Sequence, residues 1–404
     1  MKINLAVCLF VMTMCLSHFA HADNCSEMIA KANDGDAVAQ CSLGLSYNSG
    51  ECGTVDYVEA VKWFRKSAEQ GNAKGQNALG VMYSAGDGVE YNLTKAAELY
   101  KKSAEQGYAS GQANYAQLLV NGAGVEPNVS EGLKWCKKAV EQGSDKGQAV
   151  LGTLYRTGTG VPQDSAEAVK LFTKAAEQGE IIAAFNLADM YLNGDGIVKD
   201  YDKGIRWCKI AAENGHPVAM YYLGIAYVDG DGVKVDIEAS VYWYKKSAKL
   251  GNPRAQCSLG EMYKDGAGVL QNYAEAAKWF HAAADQGHPK AQYYLGVMYE
   301  FGEGVEKNTV ESMKFYRTAA LQGHVEAQCS LGSMYLIGND FTEAYKWNKI
   351  SAEQGNARAQ CNLGIMYISG DGVRKDSKRG EEWIRKSAAQ GYKPAQELLN
   401  DTPA

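Results

Sequence analysis

The sequence lacks the short motifs that mark the common active sites. It contains no H-E-x-x-H, C-x-x-C, P-loop or G-x-S-x-G, and neither the Ser-x-x-Lys nor the Lys-Thr-Gly of β-lactam-hydrolysing enzymes. These absences argue against zinc proteolysis, dithiol redox chemistry, nucleotide hydrolysis and serine hydrolysis. The expectation is a protein that is not an enzyme and needs no cofactor. An excess of positive charge is also missing: the formal net charge is −6, so no nucleic-acid footprint or general affinity for anionic lipid is expected. Nor is there a run of about 20 apolar residues, the length that a membrane-spanning helix needs. The longest candidate, Leu5 to Leu16, is interrupted soon afterwards by His18 and His21.

That short run has the form of a secretory signal. Met1-Lys2 supplies a basic start, and Ala20-His21-Ala22 a small-x-small cleavage site. Cleavage after Ala22 is expected, leaving a periplasmic or secreted chain with 40 basic against 47 acidic residues. Ala22-Asp23-Asn24 before Cys25 does not form a lipoprotein box, so no lipid anchor is expected.

Glycine punctuates the rest. Gly35, Gly71, Gly107, Gly143, Gly179, Gly215, Gly251, Gly287 and Gly323 recur every 36 residues, and Gly355 and Gly391 continue the series after one interval of 32. Ten repeats therefore fill residues 36–391, with 1–22 as signal, 23–35 as an N-terminal capping helix, and 392–404 as a C-terminal capping helix and tail. Within a unit, Ala255, Leu259 and Tyr263 fall on one face of a first helix, and Ala276, Trp279, Phe280 and Ala283 on one face of a second. Gly266 and Gly268 suit the turn between them, and Gly287 ends the second helix. Pro217, Pro253 and Pro289 stand at the first helical position, where a missing N–H costs nothing. A lone hairpin of this size cannot bury its apolar stripes, so the units must stack.

This grammar, A-x-A-Q-x-x-L-G-x-x-Y, then G-x-G-V, then A-x-x-W and a closing A-x-x-G, resembles the Sel1-like repeat family, relatives of tetratricopeptide repeats. The resemblance covers nearly the whole chain after the signal. It implies an all-α, right-handed solenoid of helical hairpins with half-repeat caps and a concave inner surface. The role it implies is the assembly or regulation of protein complexes. A cysteine-rich branch of the family bridges its first-helix cysteine to another about eight residues earlier, where this chain has Asn33, Lys249, Leu321 and Glu353. That family disulfide is therefore not expected.

Several residue series invite a chemical role, and each has a plainer reading. All seven tryptophans share one slot with Leu99, Leu171 and Phe315, and that exchange marks a core position. The tyrosines of the L-G-x-x-Y slot read as packing residues whose hydroxyls reach an inter-helix loop. Cys41, Cys257, Cys329 and Cys361 share a slot, and equivalent positions in adjacent hairpins should lie about 10 Å apart, too far for a disulfide. Only Cys25, Cys41 and Cys52 are near enough in sequence to offer one pair, and the others read as semi-buried thiols. The same spacing keeps His216, His288 and His324 from sharing a metal ion, so they read as helix-start residues. Asp87, Asp195, Asp231 and Asp371 lie in turns without the ligand set of a calcium loop. No metal site is expected.

Binding should then sit where the repeats differ. Aligned to the tetratricopeptide pattern, four first-helix slots face the concave side. They gather Phe185, Tyr221, Tyr293, Val297, Phe301, Leu336, Ile337, Ile365 and Ile368, mostly in the second half. Apolar residues exposed in a groove mark a partner site, although the same residues could seal one repeat to the next. The expected function is a scaffold that recruits a protein partner, from the bacterial envelope or a host extracellular protein such as an immunoglobulin. A periplasmic regulator of a membrane sensor kinase is the alternative, with hydrolysis of a β-lactam or peptidoglycan fragment behind both.

Overall fold

A computed structural model describes residues 25–51 and 53–400. The signal expected at 1–22 and the residues 401–404 lie outside them. The described residues form 22 helices and no strand, the all-α solenoid that the repeats imply. The chain divides into two compact units, one to Trp207 and one from Cys208. In each, hairpins stack in chain order, every second helix packing on its own first helix and on that of the next repeat, as Tyr273–Asp285 does on Pro253–Asp265 and Pro289–Phe301. None of the described helices is long and apolar enough to cross a membrane.

Local chemistry sets the helix ends. The second helix of the seventh repeat starts at Asn272, whose Oδ1 accepts from the Glu275 amide at 3.0 Å, and Asp or Asn caps the equivalent helices at 56, 92, 128, 164, 236, 308, 340 and 376. First helices end on a left-handed glycine, such as Gly266 with φ 73°. The second glycine of the turn is needed for a close approach as well: a β-carbon on Gly304 would lie 2.3 Å from the Tyr273 carbonyl of the preceding repeat. In the ninth repeat the four missing residues come out of this turn, because the first helix ends at Ile337 and the second begins at Phe341. Asn339 takes up the reversal at φ 58°, alone among the described non-glycine residues in having a positive φ.

Two interactions recur as the glue of the stack. Glutamine of the A-Q pair donates to the last turn of the preceding helix, as Gln292 does to Ala284 O at 3.3 Å, and accepts from the glutamine that closes its own repeat, Gln322, at 2.7 Å. Serine in the second helix donates to the first residue of the same repeat's first helix, Ser247 Oγ to Pro217 O at 2.7 Å. The first adds a donor to a carbonyl in a helix's last turn, and the second pairs a fully buried serine hydroxyl.

Three of the tyrosine hydroxyls bond outside the inter-helix loop. Tyr83 OH accepts from Arg65, Tyr299 OH meets His281 Nε2 at 3.3 Å, and Tyr367 OH meets Tyr345 OH at 3.0 Å. All three partners lie on the second helix of the preceding repeat. The loop is held instead by the tyrosine's main-chain carbonyl, as when Asn272 N donates to Tyr263 O at 2.8 Å. The tryptophans are also placed differently from a full core position. Apart from Trp347, 6 % exposed, they are half-buried, and lysines lie over several rings, Lys66 at 3.9 Å from the centre of Trp63 and Lys138 at 4.3 Å from that of Trp135. The fully buried ring belongs to the next residue: Phe64, Phe172, Phe280 and Tyr316 are among the most deeply buried side chains.

Candidate functional site

The cysteines are structural. Cys41, Cys136, Cys208, Cys257, Cys329 and Cys361 are free and fully buried, deeper than the semi-buried thiols expected. Burial pushes the thiols of Cys136, Cys208 and Cys257 up to about 12, so none is a thiolate at neutral pH. Cys136 Sγ donates to Gly147 O at 3.2 Å. Cys25 is disulfide-bonded. Because Cys41 is free, it drops out of the three candidates for that bond, and Cys52 lies outside the described residues.

The histidines do start helices. Nδ1 of His216, His288 and His324 accepts from the backbone amides of Ala219, Ala291 and Ala327 at 3.2, 3.4 and 3.3 Å. Desolvation holds all three below the usual histidine range, with Arg254 and Lys290 adding to the effect at His288. Among the described residues no cluster of three His, Cys, Asp or Glu converges as a metal site.

The nine candidate binding residues separate into two groups. Tyr221 lies 5.8 Å from the Tyr244 ring, and Tyr293 stacks on His324 with centroids 4.8 Å apart; burial raises both phenols above the usual tyrosine range. Val297 packs into the cluster of Tyr316, Leu331 and Trp347. Ile368 packs beside Ile384 and Ala395, and presses close to Gly380. Phe185 and Leu336 are half-buried. Exposed outright are Phe301 at 64 %, Ile337 at 81 % and Ile365 at 43 %, one from each of the eighth, ninth and tenth repeats. Phe301 and Ile337 hold the same slot, the last residue of the first helix.

Sequence reasoning missed a cleft of about 190 Å³ in the first unit. Ala113, Gln117, Ala149 and Thr153 line it, all from slots that the repeat pattern turns toward the inner face. Their small size and polarity give no apolar pattern by which a sequence would announce it.

Buried residues committed to stacking and variable first-helix faces left open define an α-helical repeat scaffold. The chain belongs to the Sel1 repeat family, whose model matches ten consecutive segments from 37–72 to 357–392. Among solved structures it is similar to c5321, a protective antigen of uropathogenic Escherichia coli displaying an SLR fold, with 35 % identity over 93 % of this chain and 81 % of that one and a TM-score of 0.70. It is also similar to a Sel1 repeat protein from Oxalobacter formigenes, with 34 % identity over 75 % of this chain and 89 % of that one and a TM-score of 0.55. None of the curated proteins compared with it matches. Proteins of this repeat class generally act as protein-interaction scaffolds.

Proposed function

We propose that this chain is exported and recruits a protein partner on the inner face of its eighth to tenth repeats. The carrying observation is the exposure of Phe301, Ile337 and Ile365, large apolar side chains on three successive first helices. Apolar residues left in water serve no folding purpose, and clustered ones mark interfaces. Export is read from the N-terminal signal pattern, and the similar c5321 is a protective antigen. A host extracellular protein is the favoured partner of an exported chain. Tyr221, Tyr293, Val297 and Ile368 would act by shaping that surface, being already engaged in packing.

The test compares affinity capture by the full chain lacking residues 1–22 with capture by its Phe301→Ser/Ile337→Ser variant, from host serum and from periplasmic extract. A specific partner should be captured from serum, and the variant should bind it at least tenfold more weakly while melting at the same temperature. Undiminished capture by the folded variant would move the site elsewhere, and capture from periplasmic extract alone would favour an envelope partner.

A further inference from the structure

We infer that the outer face of the first three repeats carries a separate site, which binds a linear sulfated polysaccharide along a ladder of paired cations. First helices meet those of the next repeat, as Ala73–Ala85 meets Ala37–Ser49 and Ala109–Asn121, so they line the inner side of the stack and the second helices line the outer side. Adjacent slots in the second helices Tyr57–Glu69, Leu93–Glu105 and Val129–Glu141 hold Arg65-Lys66, Lys101-Lys102 and Lys137-Lys138. All six side chains are exposed. Packing does not require charge there, because His281 and Ala282 fill the same two slots in the seventh repeat, and Ile350 fills the second slot in the ninth. A run of successive doublets is confined to the first three repeats.

Among the described residues none of the six forms an ion pair, although Glu69, Glu105 and Glu141 end the same helices. The other charges of these helices cancel, Lys62, Lys95 and Lys134 against Glu59, Glu98 and Glu131, so the face is locally positive on a chain of net charge −6. Lys66 and Lys138 rest over the rings of Trp63 and Trp135, and Arg65 reaches the Tyr83 hydroxyl at 3.4 Å. These contacts steady the side chains without neutralising them. Given helix packing distances, successive doublets lie about 10 Å apart. That step is comparable with the length of a disaccharide, so a linear glycan bearing anions on each disaccharide meets one doublet per step. Sulfate esters stay ionised at physiological pH, and their oxygens accept strong bonds from lysine and arginine. Single-stranded nucleic acid instead needs aromatic faces open for stacking, and here lysines cover Trp63 and Trp135. A DNA duplex carries about one charge per 1.7 Å of axis, a density that the acidic chain as a whole repels. No exposed large apolar residue lies within a turn of a doublet on the described helices, so nothing there would enter a bilayer.

The experiment titrates heparin into the full chain lacking residues 1–22 by isothermal calorimetry at about 0.15 M salt. Saturable binding is expected, weakening steeply as salt is raised. The variant Lys101→Gln/Lys102→Gln/Lys137→Gln/Lys138→Gln should bind at least tenfold more weakly with an unchanged melting temperature. A control of equal charge, Lys62→Gln/Lys278→Gln/Lys314→Gln/Lys346→Gln, removes only lysines already paired with glutamate and should bind as tightly as the natural chain. Phe301→Ser/Ile337→Ser should leave heparin binding unchanged, so this site and the one in the second unit stand or fail independently. Absence of saturable binding overturns the inference. So do equal losses in the two quadruple variants, since attraction would then follow net charge alone. Heparin stripped of its sulfates should bind at least tenfold more weakly. Equal binding by it, or tighter binding by duplex DNA or by phosphatidylserine vesicles, overturns the assignment of a sulfated glycan.

Discussion

Phe280 occupies the space in which a side chain on Gly260 would have to stand: a β-carbon on that glycine falls 2.6 Å from Cε1 of the ring. The pair repeats as Gly44 with Phe64, Gly80 with Tyr100, Gly152 with Phe172, Gly224 with Tyr244 and Gly296 with Tyr316. The glycine of L-G is therefore a hole for a second-helix side chain, a ring in these six repeats and Asn348 or Ile384 in the last two, rather than a hinge. Where the ring is replaced by Cys136, the glycine is replaced by Ala116, and both are buried in one cluster. Ala188 and Cys208 hold the same two slots two repeats later.

Gly260→Ala should accordingly destabilise the chain by about 1–3 kcal/mol through overpacking, despite alanine's better helix propensity. Adding Phe280→Cys should recover part of the loss by recreating the alanine and cysteine pairing. Denaturant melts of the two singles and the double form the cycle; strict additivity would show that the contact does not set the glycine.

Gln292 should matter out of proportion to its size. Replacing it with alanine removes one donor from the Ala284 carbonyl, which keeps Gly287 N at 2.8 Å, and takes the nearer acceptor from the Gln322 amide, which keeps Thr318 O at 3.4 Å, in a site where Gln292 itself is only 8 % exposed. A cost of about 0.5–1.5 kcal/mol is expected for each hydrogen bond lost. Thermal melts of Gln292→Ala beside Gln322→Ala test this: if Gln292→Ala melts no lower than Gln322→Ala, the bond to the preceding repeat contributes nothing.

The histidine caps give the second unit an acid sensitivity. An Nδ1 that accepts a backbone N–H must be unprotonated, and all three histidines are held below their usual range in the folded chain. A depressed folded-state value means the stabilisation is complete above the unfolded value of about 6.5 and is lost as pH falls below it. Arg254 and Lys290 oppose protonation of His288 whereas Glu261 favours it, and Glu326 favours it at His324, opposing Lys290. Each cap contributes about 0.5–2 kcal/mol. The melting temperature should fall from pH 7.5 to 5.5 in the natural chain, and by much less after His216→Asn, His288→Asn and His324→Asn together. Asparagine already fills this slot at Asn252 and Asn356. Parallel slopes for the two proteins would place the acid sensitivity elsewhere.

Redox chemistry should be confined to one bond. Cys41, Cys136, Cys208, Cys257, Cys329 and Cys361 should resist alkylation in the folded protein and all react in denaturant without reductant, whereas Cys25 should need reductant first. Peptide mass spectrometry reads each site. A bridge between any two of the six contradicts the stack.

The repeat itself was legible from sequence because its signals are local. Caps such as Asn272, the turn glycines Gly266 and Gly268, and apolar residues at helical spacing each depend on neighbours within a few residues. The histidine slot was read correctly for the same reason, and so was the alternative that Tyr221 and Ile368 seal the stack. Only the tertiary structure decided contacts between helices. It placed Phe280 rather than Trp279 in the deepest position, sent the Tyr299 hydroxyl to the preceding repeat, and left Phe301 and Ile337 in water while Tyr293 stacked on His324. It also opened the cleft beside Gln117, which no apolar pattern announces. Two residues adjacent in sequence carry the same helical signal but differ by about 100° around the axis, and what each meets there is fixed by the packing of the next helix.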